Sequence, residues 1–137
     1  MKPLLKSVFL LLLFSWTVKA DVVVIVNPLG PDHLSQSQVK KLYLGKSKYL
    51  PELGKAYIIE MTDGDAIRTE FHAKVTHKSA AQLQAYWSRL IFTGKGKPPH
   101  TVRTPELILS LVASKSNAIA YIDESLVDDR VKVAYRP

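Results

Sequence analysis

The stretch Ile58–Phe71, IIEMTDGDAIRTEF, brings together residue types that can hold a small anion. It reads as a strand, a tight turn and the first turns of a helix. The opening N–H groups of a helix have no partner inside it, and the aligned peptide dipoles place partial positive charge there. Thr62 adds a hydroxyl, Gly64 lets the chain turn sharply, and Arg68 adds a guanidinium with paired donors one turn into the helix. Two acids oppose this chemistry. Asp63 and Asp65 stand at the same helix start, where like charge repels phosphate or sulfate. Asp65 also lies at the N-cap, where its carboxylate can take the N–H groups that an anion needs. The segment therefore carries two readings: an oxyanion site built from Thr62, Asp63, Gly64, Asp65 and Arg68, or a self-capped helix.

Other chemistry is thinner. Gly94-Lys95-Gly96-Lys97 has the look of a phosphate loop but lacks the G-x-x-x-x-G-K-[S/T] spacing, follows a helix instead of a strand, and runs into Pro98 and Pro99. A solvated basic turn is the expectation, with Lys95, Lys97, His100 and Arg103 as a rim for an acidic partner or a lipid head group. His33, His72, His77 and His100 show no i,i+4 pair, so no metal site is expected. The acids from Asp123 to Asp129 lack the glycine and terminal glutamate of a calcium loop. There is no Cys, no G-x-S-x-G and no H-E-x-x-H, so neither a catalytic nucleophile nor a cofactor is indicated.

The elements that must position these residues follow from periodicity and caps. Asp21–Asn27 is a continuous apolar, β-branched run closed by Pro28, Gly30 and Pro31, the mark of a strand buried on both faces. Ser35 and Gln38 form a capping box for a first helix over Gln36–Leu44, stopped by Gly45. A polar loop over Lys46–Lys55 leads to a second strand, Ala56–Met61, and then to the helix that starts at the Thr62–Asp65 turn and ends near His77. Ser79 and Gln82 cap a third helix whose Leu83, Tyr86, Trp87, Leu90 and Ile91 make a broad apolar face, closed by Gly94. Thr104-Pro105 opens a fourth helix running to about Ala113. Ala118–Ile122 and Val131–Tyr135 are final strands. The order βαβαααββ predicts a single α/β layered domain with a small mixed sheet and about four helices.

The N-terminus fits a secretory signal: basic Lys2 and Lys6, an apolar run Val8–Phe14, and a Val18-Lys19-Ala20 cleavage site, giving a mature chain from Asp21. The run is shorter than the roughly 20 residues that span a bilayer. Residues 1–20 are thus read as a signal peptide and 21–137 as one domain. Removing Lys2, Lys6 and Lys19 lowers the formal charge from +7 to +4. That balance describes a mildly basic exported protein and gives no reason to expect nucleic-acid binding.

Four segments together, Leu42-Tyr43-Leu44-Gly45-Lys46, Gly64–Phe71, Tyr86–Gly96 and Asn117–Ile122, resemble the short, exported, phosphate ABC-transporter substrate-binding-like proteins of bacteria. The resemblance implies a fold like one lobe of a type-2 periplasmic binding protein and a periplasmic home. It implies phosphate or another small oxyanion as ligand, with a membrane transporter or another envelope protein as partner. In full-length phosphate-binding proteins of this kind, a Ser-Gly-Thr helix start contributes ligands; the matching positions here are Asp65-Ala66-Ile67, so neither hydroxyl is present. The alternative expectation is an envelope interaction module that keeps the fold without tight ligand binding.

Overall fold

The computed structural model describes residues 21–137; the signal-peptide reading of residues 1–20 lies outside the described residues. Its elements are β1 (Val22–Val26), α1 (Gln36–Tyr43), β2 (Tyr49–Leu50), β3 (Gly54–Lys55), β4 (Tyr57–Met61), α2 (Ala66–Lys74), α3 (Ala80–Phe92), β5 (His100–Val102), α4 (Pro105–Ser114), β6 (Ala118–Asp123) and β7 (Lys132–Tyr135), with a 3-10 turn at Glu124–Leu126. Five strands form one mixed sheet in the order β5-β4-β6-β1-β7, while β2 and β3 pair separately as a small hairpin. β4 is parallel to β5 and to β6, whereas β1 is antiparallel to β6 and to β7. The α/β class and the mixed sheet expected from the sequence are the observed architecture.

Every residue of β1 is buried, because the sheet is covered on both faces. Val22, Val24 and Val26 join Val39, Leu42 and Tyr43 of α1 and Phe71 of α2 in one core. Val23 and Ile25 point the other way, into a core completed by Ile108, Leu109 and Val112 of α4. This alternation is the two-residue period of a strand used on both sides. Asn27, buried at the end of β1, donates through Nδ2 to the carbonyls of Val112 and Ala113, answering groups left open at the end of α4.

Both sequence-predicted capping boxes form, at Ser35/Gln38 and Ser79/Gln82. α3 lies against the end of α1: the Tyr86 hydroxyl donates to the Leu44 carbonyl at 2.5 Å, and a Cβ on Gly45 would come within 2.9 Å of the Trp87 ring. Gly45 has φ of +70°, so that position favours glycine for both backbone and space. The apolar face of α3 is narrower than its sequence suggests. Leu83 and Trp87 are buried, while Ile91 and Phe92 are exposed by 54% and 92%. Two short pairings were also absent from the sequence reading. The expected loop at Lys46–Lys55 contains the β2–β3 hairpin, and the stretch after Pro99 supplies β5.

Candidate oxyanion site and the opposite groove

The parallel strands give the sheet two distinct ends. Their carboxyl ends are Met61, Val102 and Asp123; their amino ends are Tyr57, His100 and Ala118. β4 is followed by a helix packed on one face, and β5 by a helix packed on the other. The crevice between their carboxyl ends is thus a place where the chain departs in opposite directions, the usual ligand position in open α/β sheets. Thr62 and Arg103 flank it, and the Thr62 N–H donates to the Val102 carbonyl at 3.1 Å.

At this crevice Gly64 has φ of +86° with open space around its missing Cβ, so backbone conformation alone selects glycine there. The Asp65 N–H donates to the Thr62 carbonyl at 3.3 Å and closes the turn. Asp65 then caps α2, its Oδ1 accepting from the Ile67 N–H at 2.9 Å, while Asp63 Oδ1 accepts from the Gly64 N–H at 3.0 Å. Among the described residues, the amide N–H groups of Ala66 and Arg68 find no acceptor in the chain. The structure thus gathers Thr62, Asp63, Gly64, Asp65 and Arg68 at one turn, with two acids using two of its amides and two other amides left over.

Arg68 does not reach outward. Its Nη1 donates to the Met61 carbonyl at 3.0 Å and lies 3.8 Å from Glu60 Oε2. Glu60 is buried, the acid in an otherwise apolar strand, and its Oε1 accepts from the Tyr121 hydroxyl at 2.9 Å. His72 Nε2 is 2.8 Å from the same oxygen, and His72 Nδ1 faces Thr76 Oγ1 at 2.9 Å. Burial first, and the Glu60 charge second, push the Tyr121 hydroxyl well above the usual phenol range, so it stays a donor. Tyr43 is raised for the same two reasons and donates to the Ile59 carbonyl at 2.9 Å. This network fixes the floor under the α2 start. A cavity of about 410 Å³ opens beside it, bordered by Asp63, Arg68, His72, His77, Lys78 and Ser79.

The basic rim divides. Lys95 and Lys97 line a groove of about 740 Å³ at the amino ends of the parallel strands, with Lys48 and Lys55 from the β2–β3 region and His100 from β5. Arg103 is not among the lining residues. Three residues of strand carry the chain from His100 to the opposite end of the sheet, so Arg103 belongs with Thr62 and not with Lys95 and Lys97. Of the expected rim, Lys95, Lys97 and His100 line one groove and Arg103 stands apart from it.

These features are those of a lobe of the periplasmic-binding-protein kind. More particularly, the fold is that of one lobe of phosphate ABC-transporter substrate-binding proteins. A protein from Clostridium perfringens described as a phosphate ABC transporter substrate-binding protein, solved with bound phosphate, matches with a TM-score of 0.66 and 27% identity over 84% of this chain and 44% of its own. An ABC-type phosphate transport receptor from Vibrio cholerae matches with a TM-score of 0.66 and 18% identity over 84% and 45%. PstS from Borrelia burgdorferi shares the fold, with a TM-score of 0.64 at 9% identity over 84% and 46%. The chain spans less than half the length of these structures. No protein-family model and no curated protein matches it.

Proposed function

We propose that this chain is a non-catalytic, exported solute-binding-like protein of the periplasm whose ligand is a small oxyanion, phosphate foremost, held at the start of α2 and acting with an ABC-type transporter or in sensing. The observation that carries the reading is the crevice at the carboxyl ends of β4 and β5. There the unused N–H groups of Ala66 and Arg68 and the Thr62 hydroxyl meet a helix N-terminus. The likeness to a 27%-identical structure solved with phosphate supports the choice of anion.

The geometry also sets the strength of binding. Asp65 already uses the Ile67 N–H, and Arg68 spends its guanidinium on Met61 and Glu60. An oxyanion held by the described residues alone stays in contact with water, which weakens each charge interaction. Weak capture, with a dissociation constant near the millimolar range, is the expectation, equivalent to about 4 kcal/mol. Calorimetric titration of the mature protein with phosphate and with sulfate tests this. Absence of heat at millimolar anion overturns the reading.

A second reading has its own support: the capping acids and the inward-turned Arg68 are what a helix start kept for structure looks like. In that case the chain is an envelope interaction module. A pull-down from envelope extract with wild type and Lys95→Glu/Lys97→Glu separates the cases, since identical partner profiles exclude that turn as the contact.

A further inference from the structure

The groove at the amino ends of the strands gathers several cations around one concavity. Its basic lining comes from Lys48, Lys55, Lys95, Lys97 and His100, and no acid contributes to it. Its apolar lining comes from Leu42, Ala56, Ile58 and Ile91. Five cations outside the groove are answered within the chain: Arg68 by Glu60, Lys74 by Glu70, Arg130 by Asp128 and Glu106, Lys132 by Asp32, and Arg136 by Glu124. Among the described residues none of the four groove lysines makes an ion pair. The walls are well fixed. Gly45 against Trp87 and Tyr86 against Leu44 hold α3 to α1, and Asn117 Nδ2 donates to the Lys55 carbonyl at 2.8 Å.

We infer that this groove docks an acidic segment of a partner protein that carries an apolar anchor residue. Charge complementarity selects the acids: several unpaired lysines around one concavity raise the local potential and favour a chain that brings several carboxylates. The apolar lining selects the anchor, since burying it recovers the hydrophobic gain that the exposed lining forgoes. Concavity separates a peptide from a bilayer. A lipid surface meets the lysine tips but cannot reach Ala56 and Ile58 between the walls, whereas a side chain can. The site lies at the opposite end of the sheet from the Thr62–Arg68 turn and shares no lining residue with it, so the inference stands whether or not the turn holds an oxyanion.

The probe is a fluorescein-labelled peptide of about a dozen residues with Asp and Glu on both sides of a central Leu-Phe pair, followed by fluorescence anisotropy on the mature protein at low salt. Binding is expected in the micromolar range, weakening about tenfold or more in Lys95→Glu/Lys97→Glu and again when the anchor pair is changed to Ser-Ser. Arg136→Glu, at the far end of the sheet, leaves it within about twofold. Circular dichroism confirms that each variant is folded, and Lys48→Gln gives a milder loss of the same kind. No peptide binding overturns the proposal, as does binding indifferent to the lysines or to the anchor. So does association with vesicles of anionic phospholipid at peptide concentrations that produce no anisotropy change.

Discussion

The two ends of the central sheet differ in how far their charges are answered within the chain. At the carboxyl ends of β4, β5 and β6, Asp63, Asp65 and Arg68 are engaged within the chain, as are Asp123, which accepts from the Ser125 N–H, and Glu124, which pairs with Arg136; among the described residues Arg103 makes no ion pair there. At the amino ends, Lys48, Lys55, Lys95 and Lys97 surround a groove that contains no acid. A charge that already stabilises the fold has less left for a ligand, because a competing anion must displace the bond it makes. An unanswered charge is available at once, and is screened only by salt. The end where open α/β sheets usually hold a ligand is therefore the more reserved one in its side-chain charges, and the opposite end is the more open one.

The sharpest break in this comparison is at Glu60. In Glu60→Ala the His72 ring, the Tyr121 hydroxyl and the Arg68 guanidinium lose a shared buried partner, and a cavity opens beneath α2. Stability should fall by about 3–5 kcal/mol, read from a urea midpoint, with the carboxyl-end turn loosened. Glu60→Gln keeps the shape and an acceptor oxygen while removing the charge that faces Arg68. It should cost less and raise phosphate affinity at the turn; unchanged stability in the alanine variant would show that the network is ornamental to the fold.

Gly45→Ala probes the other end with the next largest effect. The new methyl meets Trp87 at 2.9 Å on a backbone of φ +70°, so about 2 kcal/mol of stability should be lost as α3 shifts away from α1. Because that contact forms a wall of the groove, binding of an acidic peptide should weaken while the anion response at Thr62–Arg68 is preserved. Loss at both ends together would mean that the two sites are not separable.

What the sequence made legible was what is local. The strand-turn-helix at Ile58–Phe71 and the boxes at Ser35/Gln38 and Ser79/Gln82 depend on residues two to four apart, and they are where the signals put them. The two-residue strands β2 and β3 and the three-residue β5 have too few positions to show a period, and exist only through their pairing. The Glu60 network joins residues 12 and 61 positions apart. Its one trace in the sequence was a glutamate inside an apolar strand, which must find partners if buried. The groove escaped for the same reason: Lys48 and Lys55 meet Lys95 and Lys97 through the packing of α3, and a run of sequence cannot show that Arg103 lies at the opposite end from its near neighbour His100.

Asp65→Ser sharpens the carboxyl end directly. Serine still caps a helix, so stability should change by less than about 1 kcal/mol. The charge that repels an oxyanion is gone, and a hydroxyl that can donate to one takes its place. Phosphate affinity should rise several-fold, and sulfate affinity with it, by calorimetry against wild type. No gain for either anion would mean that Asp65 is not what limits the site.

The smallest expected change is the one that makes the groove result interpretable. Lys95 and Lys97 make no ion pair among the described residues and lie on a turn outside both cores, so reversing them to Glu removes no internal contact. Surface changes of this kind usually stay within about 0.5 kcal/mol. The urea midpoint should match wild type, and so should phosphate binding at the far end of the sheet. With fold and turn unmoved, any lost affinity for an acidic segment belongs to the groove itself. A substantial loss of stability would instead make the two lysines part of the scaffold, and the contrast between a self-satisfied end and an open one would disappear.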